Sequence, residues 1–453
     1  MFESKLSPTI TTDEHSYFFT MLADRFNPLN IRWQKALEKR FNKPFRPIYI
    51  LPFRHNKYFE EENYIVLNDH LASLQKELER SDIIFLIYPE DLNRQFCEST
   101  QIRRIVEQLI AKQGQVFVLS FTSVWLEFNN PKVVVLGPNG KVAAKYDAKS
   151  EHAKTFEKLG LPTIKTKVYR DFQELRTLQV EYPYFLSAMF TSGGIESRSI
   201  YTPEDLEAYY EGLRPANKVR PFIAAKLMTD MVAAPNSSAL VSGEDQTTVV
   251  CISDQVLRDN HYMGNLYPSQ VSAAHQKVIH EATIKVGNYL SREGFRGLFG
   301  LDFLISESGD CFPIDLNPRR QGGYYCQVMS SPTDLIDLEM RVIFNDPLPK
   351  FKYEDFQANY SWGHSKLTPY SPDVKILEEI VEGDPLEPFV NAGATHRAIY
   401  YPKDYTLIIG NPGFYLTSGS SYEDVKRRLT EETDKTISES YRIEEALVGL
   451  RKP

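Results

Sequence analysis

The segment Gly297–Gln321, GLFGLDFLISESGDCFPIDLNPRRQ, restricts the fold more than any other. Two apolar runs, Phe299–Ser306 and Cys311–Leu316, flank Ser308-Gly309-Asp310. A short polar turn with glycine between two such runs specifies a β-hairpin. Each run carries one carboxylate among apolar neighbours, Asp302 in the first and Asp315 in the second. Side chains alternate along a strand, so Asn317, two residues after Asp315, shares its face. Three oxygen donors therefore converge. These are ligands of the kind Mg²⁺ takes, with nucleotide phosphates usually completing its shell. Arg319 and Arg320 follow directly and suit anionic oxygens. A solvated hairpin would also accommodate an aspartate and an Asn317-Pro318 strand end. Leu301, Phe303 and Leu304 around Asp302 argue against that, because a carboxylate among apolar residues is costly without a partner.

The chain around this hairpin has 453 residues, enough for about three domains. Hydrophobic residues make up 42% and charged residues 25%, the balance of a soluble globular protein. A net charge of −8 leaves no excess of cations to neutralise a phosphate backbone, so no nucleic-acid partner is expected. Cys97, Cys251, Cys311 and Cys326 include no C-x-x-C pair, and reduced thiols are expected. The first residues lack an apolar signal core, and no run approaches the roughly 18 apolar residues of a membrane span. A cytoplasmic protein without a membrane partner is the resulting expectation.

In chain order, residues 1–43 read as helical around Phe18–Phe26 and Arg32–Phe41. Beyond Arg46, apolar runs Ile48–Phe53, Ile83–Tyr88, Val116–Phe121 and Val133–Gly137 alternate with amphipathic segments Leu71–Arg80 and Ser99–Lys112. This is the pattern of β-α-β units in a doubly wound parallel sheet. It contains no G-x-G-x-x-G, so no dinucleotide site is expected. Such sheets place ligands beyond the carboxyl ends of their strands, at Arg54, His55, Pro89–Asp91 and Thr122–Trp125 here. Ser150–Leu159 fits an amphipathic helix stopped by Gly160 and Pro162. Tyr182–Ser199 reads as strand, polar loop and strand. Its Thr191-Ser192-Gly193-Gly194 offers hydroxyls and backbone N–H groups to phosphates. A helix at Tyr201–Leu213 is capped by Thr202, and Arg220–Ile223 opens a strand. Strands at Leu240–Val241 and Thr247–Ser253 lead into a polar loop through Arg258 to Asn265. Within it His261 is a candidate proton acceptor or substrate contact. Ser269–Gly294 is a long helix whose row Ala274, Val278, Ala282, Val286 and Leu290 should face the sheet. After Ser331 a helix at Asp334–Asn345 precedes strands at Thr395–Tyr401, Thr406–Gly410 and Phe414–Thr417. A helix at Ser421–Thr430 with a Ser-x-x-Asp cap follows.

The set Asp302…Asp315-x-Asn317-x-Arg319 resembles the metal-binding strand pair of ATP-grasp enzymes. Gly137–Pro162 is similar to the segment of biotin carboxylase and its relatives in which a D-K pair precedes a helix ending in G-x-P. The lysine-to-glycine spacing there matches Lys149 to Gly160. The resemblance spans roughly residues 45–330 and implies an α/β architecture. An ATP-grasp domain at 146–330 would comprise a glycine-loop lid (146–218) and a metal-binding sheet (219–330). A small doubly wound parallel-sheet domain (1–145) would precede it, and an α+β C-terminal domain (331–453) would follow. The implied cofactors are ATP and Mg²⁺, two ions, with Mn²⁺ as the alternative ion. Asp302, Asp315 and Asn317 would be metal ligands. Lys149, Ser187, Thr191, Ser192, Gly193, Gly194 and the backbone of Phe222 and Ile223 would contact the nucleotide. Arg319, Arg320 and His261 would serve the reaction. The family carries a phosphate-bridging lysine where this chain has Ser187. The implied activity joins a small-molecule carboxylate to an amine through an acyl phosphate. Alternatives are a bicarbonate-activating reaction and a nucleotide-binding regulator without turnover. A homodimer is compatible with the carboxylase-like branch.

Overall fold

The structure, a computed structural model, describes residues 2–22, 28–51, 63–67, 89–177, 181–189, 197–212, 221–258, 261–367, 380–382, 395–399 and 413–431. The chain divides into two compact units. One comprises Met1–Ala143, Gly322–Lys350 and Glu354–Pro453, and the other Ala144–Gln321 with Phe351–Tyr353.

In the first unit six strands form one sheet: β1 (Phe2–Lys5), β2 (Ser16–Thr20), β3 (Phe45–Leu51), β4 (Tyr64–Leu67), β5 (Val116–Leu119) and β6 (Val133–Val135). Their order is β1-β4-β3-β2-β5-β6, parallel throughout except for β1 at the edge. Helices α1 (Pro28–Phe41), α2 (Pro89–Glu98) and α3 (Thr100–Gln113) accompany it. The hydroxyl of Ser99 caps α3 by accepting from the Ile102 N–H, and Gly114 ends it at φ 86°. Where a helix is expected over Phe18–Phe26, Phe18–Thr20 belong to strand β2, all five of whose residues are buried, and residues 23–26 lie outside the described residues. A strand covered on both faces of a parallel sheet is apolar without alternation, and that removes the signal distinguishing it from a buried helix. The expected run Ile83–Tyr88, the segment Leu71–Arg80, and Arg54 with His55 lie outside the described residues.

The same unit contains β17 (Ser361–Leu367), β18 (Ile380–Glu382), β19 (Thr395–Ile399) and β20 (Gly413–Gly419), antiparallel in the order β17-β20-β19-β18. The Ser421 hydroxyl accepts from the Asp424 N–H at 3.1 Å and starts the helix over 422–431. Thr406–Gly410 lies outside the described residues.

The second unit begins within α4 (Gly140–Asp147) and continues with α5 (Lys149–Lys158). A small antiparallel sheet follows, of β7 (Thr166–Tyr169), β8 (Tyr184–Ala188), β9 (Ser197–Ile200) and β10 (Phe222–Lys226), in the order β7-β10-β8-β9. One face of it packs Tyr169, Tyr184, Leu186, Phe222 and Ala224 against α6 (Phe172–Thr177) and α7 (Pro203–Gly212). The larger sheet has β11 (Met231–Ala233), β12 (Pro235–Gly243), β13 (Gln246–Arg258), β14 (His261–Tyr267), β15 (Gly297–Ser306) and β16 (Cys311–Asn317). Its order is β11-β15-β12-β13-β14, with β16 on β15. The polar loop expected from Ser253 to Asn265 is a β-hairpin, because Asn236, Ser253 and Asn265 are buried and hydrogen-bond one another. Helix α8 (Ala273–Arg292) buries Ile279, Ala282, Thr283, Val286, Gly287 and Leu290. Ala274 is exposed and Val278 is 44% exposed, unlike the expected i+4 row. A strict i+4 row drifts around a helix of 3.6 residues per turn, so a buried stripe alternates steps of three and four.

Candidate active site

The hairpin forms as its sequence specifies. Strands β15 and β16 pair with Asp302 opposite Asp315 and Gly300 opposite Asn317, with an irregularity after Asp302. Asp302 accepts two side-chain hydrogen bonds, from Asn317 Nδ2 to Oδ2 at 3.2 Å and from Gln321 Nε2 to Oδ1 at 2.9 Å. Gln321 is held in turn by the Ser238 hydroxyl, which donates to its Oε1 at 3.1 Å. A β-carbon at Gly300 would lie 2.0 Å from Gln321 Cδ, so the glycine makes room for that amide. Burial and then the adjacent Asp315 charge push the Asp302 carboxyl up to about 7, against the pull of Arg319, Lys149 and Asn317.

Helix α5 holds the second carboxylate. Lys149 Nζ donates to Asp315 Oδ1 at 3.1 Å, and His152 Nδ1 lies 2.9 Å from the same oxygen. Burial alone would raise Asp315, but the Lys149 ammonium and the His152 ring outweigh it and hold the carboxyl well below the usual range. Two residues before Lys149, Asp147 Oδ1 stands 3.6 Å from Arg319 Nε, and Arg319 Nη1 donates to the Arg320 carbonyl at 3.4 Å. The Asp147-Ala148-Lys149 run and the Asp315–Arg319 run therefore meet in two charge pairs. Lys149 is the first residue of α5, where the helix dipole disfavours a cation, and Ala148 supplies no side-chain cap. Local helix rules are broken at the point where the helix meets the carboxylates. Arg320 is buried at 3% exposure.

Other expected site residues fall differently. Ser187 and Ser197 are buried, opposite each other, and hydrogen-bonded at 2.9 Å. Their face of the small sheet carries Thr166, Val168, Phe185, Ser199, Ile223 and Ala225, with no cation among these described strand residues. Alternation puts Arg198 and Lys226 on the opposite face. Thr191, Ser192, Gly193 and Gly194 lie outside the described residues, as does the side chain of His261, whose backbone opens β14 opposite Arg258. Phe222 and Ile223 are not at a free strand end. Strand β10 is paired on both sides at these positions, which commits their backbone groups to the ladder. The strand leaves the sheet at Lys226, and Leu227–Met228 are the half-buried residues at its exit. Sequence points to neither His152 nor Ser238, and gives no role to Asp147, the aspartate before Lys149, or to Gln321 at the end of the hairpin segment. For His152 the available signal is its position one helical turn after Lys149.

The donor set fits Mg²⁺ with a nucleotide. Among the described residues no group of three or more His, Cys, Asp or Glu could hold a metal ion as a closed cage. Two carboxylates and an amide on one face supply part of an octahedral shell and leave the rest to phosphates and water. No described helix is long and apolar enough to cross a membrane.

A family model described as an ATP-grasp domain matches residues 165–323, the span from the small sheet to just past the hairpin. The chain carries an ATP-grasp domain. Its fold extends the likeness beyond that domain. The biotin carboxylase domain of 2-oxoglutarate carboxylase from Hydrogenobacter thermophilus, solved with MgADP, ADP and bicarbonate, superposes with a TM-score of 0.64 at 15% identity, over 92% of this chain and 89% of that one. Carboxyaminoimidazole ribonucleotide synthase from Aspergillus clavatus, solved with ATP, gives 0.60 at 12% identity, over 93% and 99%. In sequence, the 2-oxoglutarate carboxylase small subunit of Hydrogenobacter thermophilus is 21% identical over 298 residues, 63% of this chain and 59% of that protein. The chain spans less of two other curated relatives, 11% and 20% of their lengths. In the ATP-grasp domain the carboxylates stand on β15 and β16, while Lys149 reaches them from α5, ahead of the matched residues.

Proposed function

We propose that the chain is an ATP-dependent ligase that activates a small-molecule carboxylate and transfers its acyl group to an amine. The observation that carries the reading is the facing pair Asp302–Asp315, with Asn317 beside it and Lys149 on Asp315. Asp302, Asp315 and Asn317 would hold Mg²⁺, whose role when bound is to neutralise and align nucleotide phosphates. Lys149 moves from Asp315 to those phosphates. Arg319, resting on Asp147, swings to the transferring phosphoryl and the substrate carboxylate, with Arg320 behind it. Leu227–Met228, at the exit of β10, offer the adenine contact in place of the ladder-paired Phe222 and Ile223. In the reaction the bond between the γ-phosphorus and its bridging oxygen breaks toward ADP, and a carboxylate oxygen forms the new bond to phosphorus. The amine then adds to the acyl carbon, phosphate departs, and the amine loses a proton. Such transfer is largely positioning and charge neutralisation, which these residues supply. The lysine absent at Ser187 would be worth about 1.5–3 kcal/mol, so turnover is attenuated rather than abolished.

Bicarbonate as the activated carboxylate is the second reading, favoured by the bicarbonate and MgADP named for the Hydrogenobacter thermophilus domain. That domain is also described as a dimer, and a homodimer belongs to the same proposal. ADP release, followed with amino acids and dipeptides, with bicarbonate alone, and with ATP alone, separates the readings. Dependence on an added amino acid or dipeptide supports the ligase. Release needing only bicarbonate moves the assignment to a carboxylase-like reaction, and nucleotide binding without phosphate release under any condition overturns both.

A further inference from the structure

Lys149 and His152 reach the same oxygen of Asp315 from one face of α5, but they are held very differently. Lys149 ends a flexible stem whose side chain is 20% exposed. His152 is 3% exposed and fixed at both ends of its ring. Nε2 lies 2.9 Å from the Tyr146 carbonyl oxygen and Nδ1 2.9 Å from Asp315 Oδ1, while the Leu316 N–H also approaches Nδ1 at 3.3 Å. One ring nitrogen thus faces a backbone carbonyl and the other the Asp315 carboxylate. Tyr146 is itself anchored, its hydroxyl 3.2 Å from that of Tyr289 on α8. The imidazole thus ties Asp315 to a fixed point of the backbone, which the lysine does not.

We propose that His152 is a positioning residue that keeps Asp315 Oδ1 in place when Lys149 departs for an anionic ligand, so that Oδ2 stays presented to a divalent cation. The proposal rests on the metal-site reading above. A carboxylate that loses Lys149 without His152 is free to turn about its last side-chain torsion, which is a soft one.

Mn²⁺ titration of the full chain, read by electron paramagnetic resonance of the free ion with and without ADP, tests this. His152→Asn places an amide N–H near the position of Nδ1 and keeps the bond to Asp315. His152→Gln places it near Nε2 and keeps only the bond to Tyr146. With ADP present, His152→Asn should bind Mn²⁺ close to wild type, and His152→Gln about 10–100-fold more weakly, the usual cost of losing a partner behind a metal ligand. Each variant loses one ring contact, so a merely structural role would lower both affinities together with their melting temperatures. Equal Mn²⁺ affinity in the two variants overturns the proposal. If either fails to fold, Lys149→Met read without ADP decides: with Asp315 still held by His152 and its competing cation gone, Mn²⁺ affinity no weaker than wild type is expected, and weakening overturns the proposal. Wild-type protein that binds no Mn²⁺ overturns the metal reading and the proposal together, whereas wild-type binding with equal variants overturns the proposal alone.

Discussion

Gly300→Ala tests how the first carboxylate is held. Gly300 is not among the glycines with positive φ, so its backbone does not demand glycine. The demand is spatial, because the new β-carbon would lie 2.0 Å from Gln321 Cδ and 2.1 Å from its Oε1. Gln321 must therefore leave, and two hydrogen bonds go with it, the one from Ser238 and the one to Asp302. The neutral bond is worth about 1 kcal/mol and the bond to a carboxylate about 1.5–3 kcal/mol. Replacing glycine returns about 0.4–1 kcal/mol through the unfolded chain. The net expectation is a loss of about 2–3 kcal/mol, largest where Asp302 is ionised. A chain of two units need not unfold in one step, so the quantity to measure is the opening free energy of the β15 and β16 amides by native-state hydrogen exchange. In a Gln321→Ala background the same change removes nothing, and Gly300→Ala should be nearly neutral there. The cycle should show a coupling of about 2 kcal/mol, and additivity within about 0.5 kcal/mol would refute the spatial argument.

Three further predictions concern the charges. Asn317→Ala should lower Mg-ATP turnover about 100-fold or more with a near-native melting curve, and wild-type turnover would sink the metal assignment. Ser187→Lys should tighten ATP binding about tenfold by restoring a charge-assisted contact, read by calorimetry, and weaker binding would mean that the Ser187–Ser197 pair serves a rebuilt site. Asp302 makes the metal-free fold pH-dependent: its folded carboxyl titrates at about 7 against an ordinary 3.8, so between those values the folded state retains a proton that the unfolded state has lost. Stability from this group is accordingly lost as pH rises from about 4 to 7, by about 2–4 kcal/mol, and Asp302→Asn melts in EDTA should lack that increment between pH 5 and 8. Asp315 acts with the opposite sign, its contribution disappearing only in strong acid.

The hairpin was legible because alternation alone fixes which residues share a face. Asp302, Asp315 and Asn317 needed no tertiary information beyond one turn. Strand β2 was not legible, because burial on both faces erases the alternation that would have marked it. The β13–β14 hairpin was misread for the opposite reason. Its polar residues signal a loop, yet Ser253 and Asn265 satisfy one another with Asn236 inside the sheet, and a buried polar network has no signature in a single strand.

The residues that support the hairpin carboxylates were harder to read than the carboxylates themselves. Gln321 is distant from Asp302 in sequence and meets it only because β16 turns back past Gly300. Asp147 and Lys149 pair with Arg319 and Asp315 across more than a hundred and fifty residues of chain, a matching that no local pattern contains. Arg198 and Lys226, cations near Ser187 in sequence, sit on the opposite face of their strands and do not replace the lysine missing there. Among the described residues, the cations of the site are therefore gathered at the β15–β16 hairpin, where Lys149 and Arg319 already balance carboxylates. An incoming polyphosphate must compete with Asp315 for Lys149 and with Asp147 for Arg319. A divalent cation on Asp302 and Asp315 removes that competition by taking over the carboxylates' charge, so nucleotide affinity should fall steeply when the metal is chelated.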